Sequence, residues 1–192
     1  SATSTTIPTT MSDEPPTKKQ KSSDDWKDHT LNINFAVMKE DEGSNLAGIA
    51  EAKIAVIQGI GPKADAILEA MGLETVQDLA TYKFFLIARS IQTLADHEEE
   101  GKRPEGSVMN IDNILDKEYE TKSLKELLEA TLSAFEGLTE MADNLLGEMG
   151  VKTIGDLADL KYCKWAEAIV ALAKYEELKT KEERRLDKEL KK

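Results

Sequence analysis

The imidazole and thiol inventory of this 192-residue chain is three side chains: His29, His97 and the single cysteine, Cys163. A nucleophilic site needs a base within hydrogen-bond reach of the nucleophile, and no spacing pattern ties either histidine to Cys163. One cysteine excludes an internal disulfide and a Cys-based zinc site. The run Glu98-Glu99-Glu100 lacks the alternating ligands and central glycine of a calcium loop, so it reads as a solvated face. Asp65 and Asp143 sit at corresponding places near helix starts, where a carboxylate serves the helix dipole as readily as a shared site. Gly59, Gly61 and Lys63 fall at a tight turn between two predicted helices, a spacing that packing and turn geometry account for. No cofactor, metal or catalytic set is expected, and the chain is read as a non-enzyme.

The elements that must position these groups are helical. Apolar residues make up 40% and charged residues 32%, with aromatics at 5% and Ala, Leu, Glu and Lys dominant. No uncharged stretch is long enough to span a bilayer. The net charge of −12 disfavours a polyanion-binding surface over the whole molecule. It is uneven: −1 over 1–30, −7 over 31–100, +1 over 101–108, −8 over 109–178 and +3 over 179–192. Two acidic bodies suited to basic partners are therefore expected between near-neutral or basic ends.

Shifting the sequence by 78 residues aligns Leu31–Glu99 with Met109–Glu177 without a gap, with roughly a third of positions identical. Matched landmarks include Gly59 and Gly137, Gly72 and Gly150, Thr75 and Thr153, and Asp78-Leu79-Ala80 with Asp156-Leu157-Ala158. In the first copy the pattern predicts a helix over 47–57 stopped at Gly59, then a turn. A second helix begins at Pro62, with Ala64, Ile67, Leu68 and Met71 on one face. A short helix capped by Thr75 follows, and then a longer one over 84–99 with Ile87, Ile91, Leu94 and Ala95 inward. The second copy predicts helices over 124–135, 142–149, 154–158 and 162–178. The expected division is an extended tail at 1–30, a first helical module at 31–100, a linker at 101–108, a second module at 109–178 and a charged helical tail at 179–192. Cys163 aligns with Phe85, the place of a small core hydrophobe.

The stretch from Ile57 to Gly72, IQGIGPKADAILEAMG, resembles the helix-hairpin-helix motif, and Gly137-Leu138-Thr139-Glu140-Met141-Ala142 resembles a degenerate second copy. The resemblance covers most of 46–99 and 124–177. It implies an all-α fold of two duplicated small helical domains in tandem, with an extended N-terminal tail and a charged C-terminal helix. It also implies a phosphate role for Gly59, Gly61 and Lys63. The second copy departs at Thr139, Glu140 and Met141, and Glu140 puts a carboxylate where a phosphate would lie. The run Thr153–Glu176 is similar to small plastid proteins of algae with complex chloroplasts, which implies a peripheral or linker subunit of a photosynthetic complex at the thylakoid. The acid-free Ser/Thr-rich start suits the residue of a transit peptide or a cloning remnant.

Trp26, Phe35, Tyr82, Tyr162 and Trp165 are the candidate docking aromatics, since Trp and Tyr are favoured interface anchors. Core packing is the competing role for those within the repeats. The expectation is a non-catalytic adaptor whose partners are other protein subunits of a large complex, located in a plastid. The alternative is a nucleus-located, nucleic-acid-associated hairpin protein, with Lys18-Lys19-Gln20-Lys21 as its address. Weighing against it are the acidic bodies and the degenerate second hairpin.

Overall fold

In the computed structural model the described residues are 31–99 and 101–191, and they form an all-α structure joined by 3-10 turns and isolated bridges. The first repeat holds α1 (Leu46–Glu51), α2 (Pro62–Ala70), α3 (Val76–Ala80) and α4 (Lys83–Ala95). The second repeats the series as α5 (Leu124–Glu129), α6 (Glu140–Glu148), α7 (Ile154–Ala158) and α8 (Lys161–Ala173).

The helix expected over 47–57 is broken. It ends at Glu51, Ala52 and Lys53 are extended, and the chain resumes as a 3-10 turn at Ile54–Val56. The backbone is drawn out to pair with the strand-like lead into α3. Val76 N–H donates to the Ala52 carbonyl at 3.0 Å and Ile54 N–H to the Glu74 carbonyl at 3.1 Å. Likewise α5 stops at Glu129, and the Ile154 N–H donates to Ala130 at 3.0 Å before a 3-10 turn at Leu132–Ala134. Pro62 opens α2, and Thr75 and Thr153 close full capping boxes with Asp78 and Asp156. The long helices are shorter than their periodicity suggests, with α4 ending at Ala95 and α8 at Ala173. Leu94, expected inward, is 58% exposed.

The two repeats exchange their last helices. α4 packs on α5 and α7 of the second repeat, while α8 packs on α1 and α3 of the first. The short helices of one repeat thus form a seat for the long helix of the other, and a single core results. Phe85 and Cys163, equivalent under the 78-residue shift, are both wholly buried in it, as are Ile54, Leu79, Leu132 and Leu157. No polar or charged residue is buried among the described residues.

One ion pair and one pair of caps follow the exchange of helices. Arg89 and Glu167 are equivalent positions in α4 and α8, and their side chains meet at 2.6 Å. Glu176 accepts from the Leu46 and Ala47 N–H groups at 2.9 and 3.1 Å, capping α1. Its counterpart Glu98 accepts from the Leu124 N–H at 2.7 Å, capping α5. Each long helix therefore delivers, through the turn beyond it, a carboxylate to the other repeat's first helix.

The chain divides into two compact units, one of them Thr30–Leu178; the other contains the charged helix α9 (Lys181–Leu190). Thr180 and Glu183 form its capping box, and Lys179 Nζ pairs with Asp187 at 2.7 Å.

Candidate functional site

Gly59 turns the chain between Ile57 and α2 with φ +89°, and Gly137 does the same at φ +85° before α6. A left-handed φ favours glycine, and at Gly59 a Cβ would also stand 3.4 Å from the Tyr162 hydroxyl. Gly61 is the N-cap residue of α2 and offers no side chain to the first-turn amides. In the second repeat Thr139 takes that place, its hydroxyl accepting from the Ala142 N–H at 3.1 Å. The two hairpins therefore differ in substance. The first presents uncapped helix-start amides with Lys63 in the first turn, whereas the second satisfies one of its amides itself.

The first hairpin faces the other repeat. Tyr162 of α8 donates its hydroxyl to the Gly59 carbonyl at 2.9 Å, and Lys63 Nζ pairs with Glu148 of α6 at 3.0 Å. Lys161 Nζ lies 5.0 Å from the Tyr162 ring centroid and 5.4 Å from that of Trp165. Between them is a cavity of about 270 Å³ lined by Gly61, Lys63, Ala64, Ile67, Glu148, Met149 and Tyr162. The Lys63 and Lys161 ammoniums and one helix N-terminus favour an anion here, and Glu148 opposes it.

The docking aromatics separate by exposure. Trp26 lies outside the described residues, as do His29 and Lys18 to Lys21. Phe35 stands on a turn and is 94% exposed, although the turn itself is held by Ala36 N–H donating to Ile33 at 2.8 Å and Gln58 N–H to Ala36 at 2.9 Å. Tyr82, Tyr162 and Trp165 are half-buried against the core. Tyr82 meets Phe84 edge-on at 5.7 Å, and Phe84 in turn tilts over Phe135 of the other repeat at 5.6 Å. Burial pushes the Tyr82 phenol up to about 12, with Cys163 adding to the shift. Tyr162 and Trp165 meet edge-on at 6.3 Å. Tyr162 joins the repeats directly and Tyr82 reaches the second repeat through Phe84 and Cys163, Trp165 packs beside Tyr162, and Phe35 presents an exposed ring.

Burial, with the Glu167 carboxylate second, lifts the Cys163 thiol to about 12, which leaves it neutral and unreactive at ordinary pH. His97 is exposed beyond the end of α4. Asp65 and Asp143 lie in the first turns of α2 and α6. Among the described residues no cluster of His, Cys, Asp and Glu is arranged to hold a metal ion, and no helix is long and apolar enough to cross a membrane. The sequence reading missed the structural use of Glu98 and Glu176. Their recurrence at the repeat spacing, inside acidic runs that read as solvent-facing, is the signal that could have found them. Comparison with known protein families, curated proteins and solved structures returned no match to this chain.

Proposed function

We propose that the chain is a non-catalytic adaptor built from two helix-hairpin-helix-like units, binding other protein subunits of a larger assembly. The observation that carries this reading is Phe35, a nearly fully exposed ring on a turn held by backbone hydrogen bonds, where the second repeat has Asn113. Holding an aromatic ring in water on an ordered turn has no folding benefit, and such rings are favoured anchors at interfaces. The interlocked repeats behind it supply the stiffness that keeps the cost of docking low. The likeness of Thr153–Glu176 to small plastid proteins suggests a photosynthetic complex as the setting.

The hairpin at Gly59, Gly61 and Lys63 supports a second reading, association with nucleic acid, through its uncapped helix start and the nearby Lys161. The Lys63–Glu148 pair and the acidic body weigh against it. The test is capture by the intact protein and by Phe35→Ala from source cells, at low and high salt. Recovery of photosynthetic-complex subunits that is lost in Phe35→Ala supports the adaptor. Recovery of DNA or chromatin proteins, falling steeply with salt and indifferent to Phe35→Ala, overturns it in favour of the hairpin.

A further inference from the structure

Each half of the chain covers the other. α4 of the first half seats on α5 and α7, and α8 of the second half seats on α1 and α3. Polar contacts across the seam include the Tyr162 hydroxyl on the Gly59 carbonyl, the Gln92 amide on Asp159 at 2.9 Å, and Arg89 on Glu167. The halves are joined through the connector between Glu98 and Met109. On its near side Glu98 caps α5. On its far side the Arg103 guanidinium donates to the carbonyls of Lys122 at 2.6 Å and of Ser107 and Glu120 at 3.2 Å. Between these anchors stands Gly101, at φ +70° and with nothing within 4 Å of where a Cβ would lie. Glu98 to Met109 is eleven residues, a reach of up to about 36 Å when extended. Opening the chain there breaks no helix, and it leaves α4, α8 and both seats to be covered by another copy.

The apolar faces do not decide which half fits which. Leu127, Ile154, Leu157 and Ala158 of α5 and α7 correspond to Ile49, Val76, Leu79 and Ala80 of α1 and α3, and all eight are buried. Two other positions do decide. Phe85 and Cys163 are equivalent and both wholly buried, so a first half paired with another first half would bring a phenyl to the place of a thiol. Arg89 and Glu167 are also equivalent, and they meet each other. Like halves paired in this manner would set arginine on arginine or glutamate on glutamate. These side chains are only 46% and 23% exposed, where like charges repel more strongly than in open water.

We propose that the seam between the halves also takes a second copy of this chain. In the resulting dimer α4 of one copy seats on α5 and α7 of the other, α8 is exchanged in return, and the Arg89–Glu167 pair admits only the unlike half. The closed monomer and the exchanged dimer share the same seam contacts and differ in the path of the connector. Concentration therefore decides between them. A short link holds the two halves at an effective concentration on the order of a millimolar, so copies that refold at that level exchange.

The test uses full-length chains, unfolded in urea and refolded singly or as equal mixtures. Size exclusion with light scattering and native mass spectrometry read the products. Wild type is expected to return as monomer at micromolar concentration and to yield dimer at about a millimolar. The double variant Arg89→Glu with Glu167→Arg keeps an opposite-charge pair within one chain, and circular dichroism and Tm confirm that it folds. A mixed dimer of this variant with wild type would set like charges at both seams, so mixed dimers should fall about tenfold below their statistical share. The single variants give the converse. Arg89→Glu or Glu167→Arg alone faces like charges, whereas the mixed dimer of the two restores both pairs and should exceed the statistical ratio about tenfold. Statistical mixing in both experiments would place the dimer on another surface and overturn the proposal. A wild type that stays monomeric after refolding at a millimolar would overturn it as well.

Discussion

Asp78 and Asp156 are each held below the ordinary aspartate range, Asp78 chiefly by the Thr75 hydroxyl and Asp156 chiefly by the Lys152 backbone N–H. The unfolded chain takes up protons near the ordinary value of about 4 while the folded caps still resist them. Their contribution is thus complete above that pH and is lost as pH falls through the lower folded values. In urea denaturation at a series of pH values, Asp78→Asn with Asp156→Asn should flatten the acid limb below about pH 4; an unchanged limb would place the acid sensitivity elsewhere. Cys163 runs the opposite way. Its raised folded value means the unfolded thiol ionises first, so its contribution is complete below about 8.5 and declines as pH climbs toward 12. The folded protein should leave Ellman's reagent unreacted at pH 8 and react fully in urea. Rapid reaction without denaturant would show that the α8 seat opens locally. Thr75 was legible in the sequence as a cap and Cys163 through its alignment with Phe85, because capping and burial leave local signatures; the carboxylates that complete the boxes stood in view only as repeat landmarks.

Helix ends show where such signatures run out. The apolar spacing of 46–57 is satisfied equally by one helix and by a helix, an extended dipeptide and a 3-10 turn, since both bury Leu46, Ile49, Ile54 and Ile57. What decides between them is the bridge from Lys53 to Thr75, and periodicity does not report it. Glu98 and Glu176 lie still further from view, because the amides they cap belong to the other repeat. Glu98→Ala and Glu176→Ala should each cost about 1 kcal/mol, a Tm drop of about 3 °C. Glu98→Gln should lose less, because the amide retains an acceptor oxygen. A Glu98→Ala loss indistinguishable from that of a solvent-facing acid such as Glu69 would mean that the cap is not made in solution. Of the candidate site, Gly59, Gly61 and the left-handed turn were readable in advance, whereas the Tyr162 hydroxyl and Glu148 arrive from 103 and 85 residues away in sequence.

At the level of the molecule, the exchange of α4 and α8 makes each repeat's short helices depend on the other repeat's long helix for their cover. The unit spanning Thr30–Leu178 should melt in one transition, with calorimetric and van't Hoff enthalpies agreeing for that unit. Phe85→Ala in the first repeat and Leu157→Ala in the second should lower the same transition, by about 3 to 5 and 2 to 5 kcal/mol respectively. Two resolved transitions, each moved by one substitution alone, would show that the repeats close separately.

The exchange also bears on how the protein comes off the ribosome. The surfaces that receive α4 are α5 and α7, so Phe85, Ala88 and Ile91 are synthesised well before residue 158 completes their seat. At bacterial-to-eukaryotic elongation rates that interval is on the order of 3 to 12 seconds. Throughout it, the first half has its longest helix uncovered, open to a chaperone or to the α4 of a neighbouring nascent chain. Vectorial synthesis gives this all-helical protein little it can finish early, and its folding is tied to the emergence of its C-terminal half.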